Sequence, residues 1–169
     1  LLATLTPYPP LKMFRDAAEH GLRTQAALYY GWSDIVEDPI PDLTESERTG
    51  RIKFAGLKLF VDGVMSNRTA WIDNTYPNSD EHGIRIASDD QLRSAAAWAR
   101  RNKVQVAIHA MGDRALQHII DLFAEEEPWM GHLPSIRLEH ATLLSPIQIK
   151  QINKARMRFG VVSHTIFFF

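Results

Sequence analysis

Apolar and polar positions along the chain follow two periods in turn, one suited to strands and one to helices. Leu11–His20 places Leu11, Phe14, Ala17 and Ala18 on one helical face and stops at Gly21. Thr24–Tyr30 reads as a strand. Ser33–Thr49 is polar, acidic and proline-containing, which predicts a loop with one short helix around Thr44–Arg48. Phe54–Val61 is a second apolar strand, broken by Asp62-Gly63. Val64–Ala87 then forms a long irregular connection carrying Asn67, Asn74, Pro77, Asn78 and Gly83. A connection of that length inside a compact domain is usually a lid or a binding loop.

Beyond it the pattern tightens. Ser88-Asp89-Asp90 caps a helix to about Asn102 with Leu92, Ala95, Ala96 and Ala99 inward. Val104–His109 is a nearly continuous apolar run, as in a parallel strand covered on both faces. Asp113 is expected to cap a helix from Arg114 to about Glu126, whose Glu125-Glu126-Glu127 run is a solvated end. Ile136–Glu139 is a short strand, Ser145-Pro146 opens a helix to about Lys154, and Arg158–Ser163 is a last strand. Strands and helices alternating at about thirty-residue spacing predict βα units on a parallel sheet, wound open or closed as a barrel. The pattern supplies five strands, whereas a closed (β/α)₈ barrel takes eight over roughly 250 residues.

Composition narrows the chemistry. Nineteen basic against twenty acidic side chains leave a net charge of −1, which offers no basic face for nucleic acid. The absence of cysteine removes disulfides, thiolate metal sites, iron–sulfur clusters and a cysteine nucleophile, so a metal would rest on histidine or oxygen donors. No apolar run approaches the ~20 residues of a membrane span, and Pro7, Pro9 and Pro10 spoil a signal-peptide reading of Leu1–Leu5. Nothing points to export, and a cytoplasmic location is expected. A start at Leu1-Leu2-Ala3 and an end at Phe167-Phe168-Phe169 read as an internal piece of a longer chain. Five strands cannot close a barrel, so the missing remainder of the barrel or a homo-oligomer is expected to cover the edges.

Three residues stand out by position. His109 and His140 each end a predicted strand, 31 residues or one βα unit apart, and the carboxyl ends of parallel strands form the active-site face. Two imidazoles on neighbouring strands suit a shared metal ion, although each also reads as a hydrogen-bonded core residue. Lys58 lies in the apolar run Ala55–Val61, where burial would free a neutral amine. That amine either captures carbon dioxide as a metal-bridging carbamate or forms a Schiff base, as in a barrel lyase; alternatively its stem packs and its head reaches solvent. Asp62 reads equally as a turn residue. His20, His82, His118 and His132 sit on helix ends or loops and are not expected to be ligands, and a non-catalytic barrel scaffold remains a third reading. Trp71, on the long loop, is suited to lining an apolar substrate pocket.

Lys58-Leu59-Phe60-Val61-Asp62-Gly63, with Ser66-Asn67-Arg68-Thr69-Ala70 after it, resembles the strand-four signature of the metal-dependent amidohydrolase superfamily. Ile108-His109-Ala110-Met111-Gly112-Asp113-Arg114-Ala115 resembles the strand-five motif, and Arg137-Leu138-Glu139-His140-Ala141 the strand-six motif, of its amidohydrolase family 3 branch, which includes N-substituted formamide deformylases. The three occur in the family's order from about Phe54 onward. The resemblance implies an α/β fold, a partial (β/α)₈ TIM-type barrel, with the whole chain part of one catalytic barrel domain that lacks strands one and eight. It implies one or two divalent ions, with zinc the expected metal, held by Lys58 as a carbamate and by His109 and His140. The implied reaction is hydrolysis of an amide or formamide carbon–nitrogen bond in a small-molecule substrate by a metal-activated water. Arg68 and Thr69 are the implied substrate or loop-ordering contacts, and Asp113 orients a neighbour rather than binding metal. The family's strand-one His-x-His pair and strand-eight Asp are absent, and His164 stands where relatives often carry a Gln-Pro pair. With half of the implied ligands, this chain alone is expected to be inactive.

Overall fold

The computed structural model describes residues 2–6, 10–37 and 44–163, with side chains from residue 12 onward. The readings of His164, of Leu11 as an inward residue and of the terminal phenylalanines lie outside what is described. Parallel strands alternate with helices, an α/β architecture of the partial TIM-barrel type, and the chain divides into two compact units, Leu1–Lys58 and Leu59–Phe169.

The first unit holds β1 (Leu2–Thr6), α1 (Pro10–Glu19), β2 (Ala26–Gly31), α2 (Trp32–Glu37), α3 (Glu45–Thr49) and β3 (Ile52–Phe60) up to Lys58. β2 pairs in parallel with β1, Leu2 opposite Ala26, and with β3, Ala26 opposite Ile52. The register on β3 slips between Leu28, opposite Phe54, and Tyr29, opposite Gly56, so Ala55 is a bulge residue. Ala26 to Tyr30 are all buried, as a strand with neighbours on both edges and cover on both faces requires. Tyr30 and Phe54 bring their rings within 5.0 Å. Two elements differ from expectation. β1 is a five-residue segment whose pattern is too short to announce a strand, and α2 sits where a loop is predicted. The predicted helix near Thr44 is α3: the Thr44 hydroxyl accepts from the Glu47 amide while the Glu47 carboxylate accepts from the Thr44 amide.

The second unit carries α4 (Asp89–Asn102), β4 (Gln105–Ala110), α5 (Asp113–Phe123), β5 (Ile136–His140), α6 (Pro146–Lys154) and β6 (Phe159–Ser163). β5 lies between β4 and β6, parallel to both. Reciprocal capping boxes start α4, between Ser88 and Gln91, and α6, between Ser145 and Gln148. The α4 residues Leu92, Ala95, Ala96 and Ala99 are buried, as their spacing predicts. Leu116, Ile119, Ile120 and Phe123 of α5 are buried with Val106 and Ile108 of β4 and Ile136 and Leu138 of β5, which makes the core of this unit. α5 departs from expectation at both ends. Gly112 is its N-cap and Asp113 its first residue, and the helix stops at Phe123, before the acidic run.

The long connection is ordered by its own backbone. Ile72 donates to His82 at 2.8 Å, Tyr76 to Glu81 at 2.9 Å and Ile86 to Val61 at 2.8 Å, while the Tyr76 hydroxyl donates to the Ala70 carbonyl at 2.9 Å. Gly83 (φ 78°) allows the close return, because a Cβ there would stand 1.9 Å from the Ala70 carbonyl oxygen. The segment is therefore a compact self-bonded loop.

Candidate metal centre

Because β4 and β5 run parallel and side by side, their carboxyl ends open in the same direction. His109, next to last in β4, is opposite Glu139, and His140, last in β5, is opposite Ala110. Strict strand alternation would put the two imidazoles on opposite faces of the sheet. The alternation ends at His140, where the backbone turns left-handed (φ 73° at His140, 45° at Ala141). The two rings meet with centroids 4.6 Å apart and planes at 64°. The predicted pairing of the histidines is thus present, achieved by a backbone turn rather than by equal register.

His109 is buried and held on several sides. Its Nε2 lies 2.8 Å from the Gly63 carbonyl oxygen, which can only accept, so Nε2 carries a proton, and in the neutral ring the lone pair is then on Nδ1. The Phe60 ring packs at 5.1 Å, and the Val61 amide donates to the His109 carbonyl at 3.0 Å. An imidazole whose other nitrogen donates to a backbone carbonyl is the usual arrangement of a metal-binding histidine.

Asp62 lies beside His109 with no exposed surface. Its carboxylate accepts the Gly112 amide at 2.8 Å, the Trp71 amide at 2.9 Å and the Met111 amide at 3.0 Å. Burial pushes the carboxyl above its ordinary value, against the downward pull of the Gly112, Met111 and Trp71 amides and of His109. At 3.8 Å from His109 Nε2 it is too far for a direct hydrogen bond. By sequence Asp62 reads equally as a turn residue, and the structure makes it a buried acceptor. The available signal was a carboxylate placed directly after Leu59-Phe60-Val61, where a buried acceptor needs donors from elsewhere.

The remaining predicted residues fall as follows. Lys58 closes the first unit, half-buried on β3 and opposite Gly31. Arg68 is exposed, in left-handed conformation (φ 57°), and closes the short 3₁₀ turn Met65–Asn67 through its amide. The Thr69 hydroxyl is engaged with Val64, accepting the amide at 2.9 Å and facing the carbonyl at 3.3 Å. The Trp71 ring lies among Arg114 (5.0 Å), His118 (5.7 Å) and Arg85 (5.8 Å). His118 in turn bonds Asp89 at 2.8 Å. Asp113 does orient a neighbour: its carboxylate accepts the Asp73 amide at 2.9 Å and its own helix's Arg114 amide at 2.9 Å.

Among the described residues, no group of three histidine or carboxylate side chains converges closely enough to hold an ion. The two imidazoles fit a metal as a pair of nitrogen donors, and the Asp62 carboxylate beside His109 is already engaged by amides. No helix among the described residues is long and apolar enough to cross a membrane.

Comparison with known proteins adds a relationship. A family model described as "Amidohydrolase family" matches residues 8–167. YtcJ of Bacillus subtilis (strain 168), which carries an amidohydrolase designation, is 26% identical over 116 residues, covering 68% of this chain and 22% of YtcJ. Protein LONG AFTER FAR-RED 3 of Arabidopsis thaliana is 30% identical over 93 residues, 54% of this chain and 16% of that protein. The chain thus spans about a fifth of the length of these relatives. Two solved structures share the fold. An uncharacterized metal-dependent hydrolase from Pyrococcus furiosus is 25% identical with a TM-score of 0.69, covering 94% of this chain and 32% of its own. One from Pyrococcus horikoshii OT3 is 24% identical with a TM-score of 0.71, covering 95% and 32%.

Proposed function

This chain belongs to the amidohydrolase family, and from that premise we propose that it builds part of the active site of a metal-dependent hydrolase acting on the carbon–nitrogen bond of an amide or formamide-type substrate. The observation that carries the reading is the meeting of His109 and His140 at the carboxyl ends of adjacent parallel strands, with the His109 Nε2–H given to the Gly63 carbonyl.

His109 would hold the ion through Nδ1, because its Nε2 is occupied as a donor. His140 would supply a second nitrogen. In the other compact unit, Lys58 is proposed to be carbamylated: its neutral amine adds to carbon dioxide, one proton leaves, and the resulting carbamate is anionic. Zinc suits a pair of imidazole nitrogens in a chain without thiolates. When bound, the ion supplies Lewis acidity to a water and to the scissile carbonyl. The burial of His109 and the Phe60 ring against it keep bulk water from the imidazole, which strengthens its hold on a cation.

Calorimetric titration of the 169-residue chain with Zn²⁺ tests the reading. His109→Ala and His140→Ala are each expected to weaken binding at least about tenfold. Equal affinity in the parent and both histidine variants would refute the assignment. Activity is read as amine release from amides and formate release from formamides.

A further inference from the structure

We propose that Asp62 is a positioning residue for His109: its buried carboxylate locks together the two strand ends that clamp the imidazole, so that Nε2 keeps its proton and Nδ1 presents its lone pair. The inference rests on the reading above in taking His109 as a metal ligand.

Two chain segments determine where the His109 ring points. The first is Val61-Asp62-Gly63: the Val61 amide donates to the His109 carbonyl at 3.0 Å, and the Gly63 carbonyl accepts Nε2–H at 2.8 Å. The second is the continuation of β4 itself, Ala110-Met111-Gly112. The chain leaves β3 at Phe60 and turns, and past the bond from the Val61 amide to His109 it is Asp62 that ties this segment to the continuation of β4. Its carboxylate takes the amides of Met111 and Gly112, two and three residues beyond His109, and the Trp71 amide from the long loop. One side chain therefore connects the segment bearing the acceptor to the segment bearing the ring, and its action on His109 passes through backbone atoms.

The site calls for a carboxylate in particular. Three amide donors converge on it, and a carboxylate is the side-chain group that only accepts. An asparagine of the same shape has one acceptor oxygen, so whichever way it is turned its NH₂ faces at least one backbone N–H. Keeping Gly112 and Trp71 satisfied would aim the NH₂ at Met111, whose amide would keep only its longer 3.3 Å approach to the remaining oxygen.

The test reads the imidazole itself. In the ¹⁵N-histidine-labelled chain at alkaline pH, where the ring is neutral, long-range ¹H–¹⁵N spectra should show His109 wholly as the Nε2–H form. In Asp62→Asn the folded protein should show both tautomers, and Zn²⁺ should bind about 10–100-fold more weakly. A carboxylate that merely stabilised the fold would lower the urea midpoint of Asp62→Asn and leave the tautomer unchanged; that result overturns the proposal. An Nδ1–H or mixed form in the parent chain also overturns it, whether or not the variant folds. Should Asp62→Asn not fold, a pure Nε2–H form in the parent, with the Met111 and Gly112 amides as protected from exchange as those of β4, supports it. If neither protein binds Zn²⁺ but the tautomer still depends on Asp62, the positioning role stands and the hydrolase reading falls. If both bind Zn²⁺ equally with one tautomer, the hydrolase reading stands and the positioning role falls.

Discussion

Adding one methyl group at Gly63 tests how tightly the turn beside the histidines is built. An ideal Cβ at this position would lie 2.1 Å from Thr69 Oγ1, 2.5 Å from its Cβ and 3.0 Å from its carbonyl carbon. Ordinary contact begins near 3.4 Å, so Thr69 must retreat by about 1.3 Å. Thr69 cannot do so freely. Its carbonyl accepts the Gly63 and Ile84 amides at 3.1 Å each, its amide donates to Val64 at 3.1 Å, and its hydroxyl accepts the Val64 amide at 2.9 Å. Breaking two or three such bonds, at about 1 kcal/mol each, predicts a destabilisation of about 2–3 kcal/mol for Gly63→Ala, within the range of overpacked sites. Urea unfolding of the second unit's signal measures it. Removing the obstructing side chain in the double variant Gly63→Ala/Thr69→Gly should recover part of the loss, because the carbonyl carbon remains the nearest obstacle. A Gly63→Ala loss below about 0.5 kcal/mol, the ordinary scatter of surface changes, would refute the packing argument. So would a double variant whose loss equals the sum of the two single losses.

Two further predictions concern the halves separately. Leu138→Ala opens a cavity in a fully buried part of the second unit's core and should cost about 2–5 kcal/mol in urea unfolding. Near-neutral behaviour would mean that this strand is not packed as described. In the first unit, the Thr44 amide and hydroxyl hold the Glu47 carboxyl below its ordinary value, with Arg15 adding to the effect. Since the folded value is depressed, the stabilisation is present above the unfolded value of 4.5 and is lost as pH falls through the folded one. The protection of the α3 amides, taken relative to their intrinsic exchange rate at each pH, should therefore fall as pH drops through the folded value, and Glu47→Gln should flatten the dependence.

Much of the architecture is legible without coordinates. The spacing of Leu92, Ala95, Ala96 and Ala99 marks the buried face of α4, and Ser88 and Ser145 mark helix starts because short hydroxyl side chains close an open amide a few residues on. These are local effects, determined by near neighbours. Elements whose stability comes from their partners are less legible. β1 has five residues and exists through pairing with β2, and α5 begins at Asp113 with Gly112 rather than the aspartate as its cap. His109 and His140 were legible as a pair because strand ends in βα units share one side of a sheet. The manner of their meeting was not, since a left-handed histidine has no signature in residue type.

From the sequence alone came the order of the strands and helices apart from β1 and α2, the absence of cysteine and the choice of His109 and His140 as candidates, since periodicity, capping and composition are properties of neighbouring residues. The tertiary structure alone decided that Asp62 is a buried acceptor for amides up to 50 positions away, and that His109 keeps its proton on Nε2 because a carbonyl 46 positions earlier faces it. Proton placement and ring direction follow from which donors and acceptors are brought together, and chain folding, not residue order, sets that.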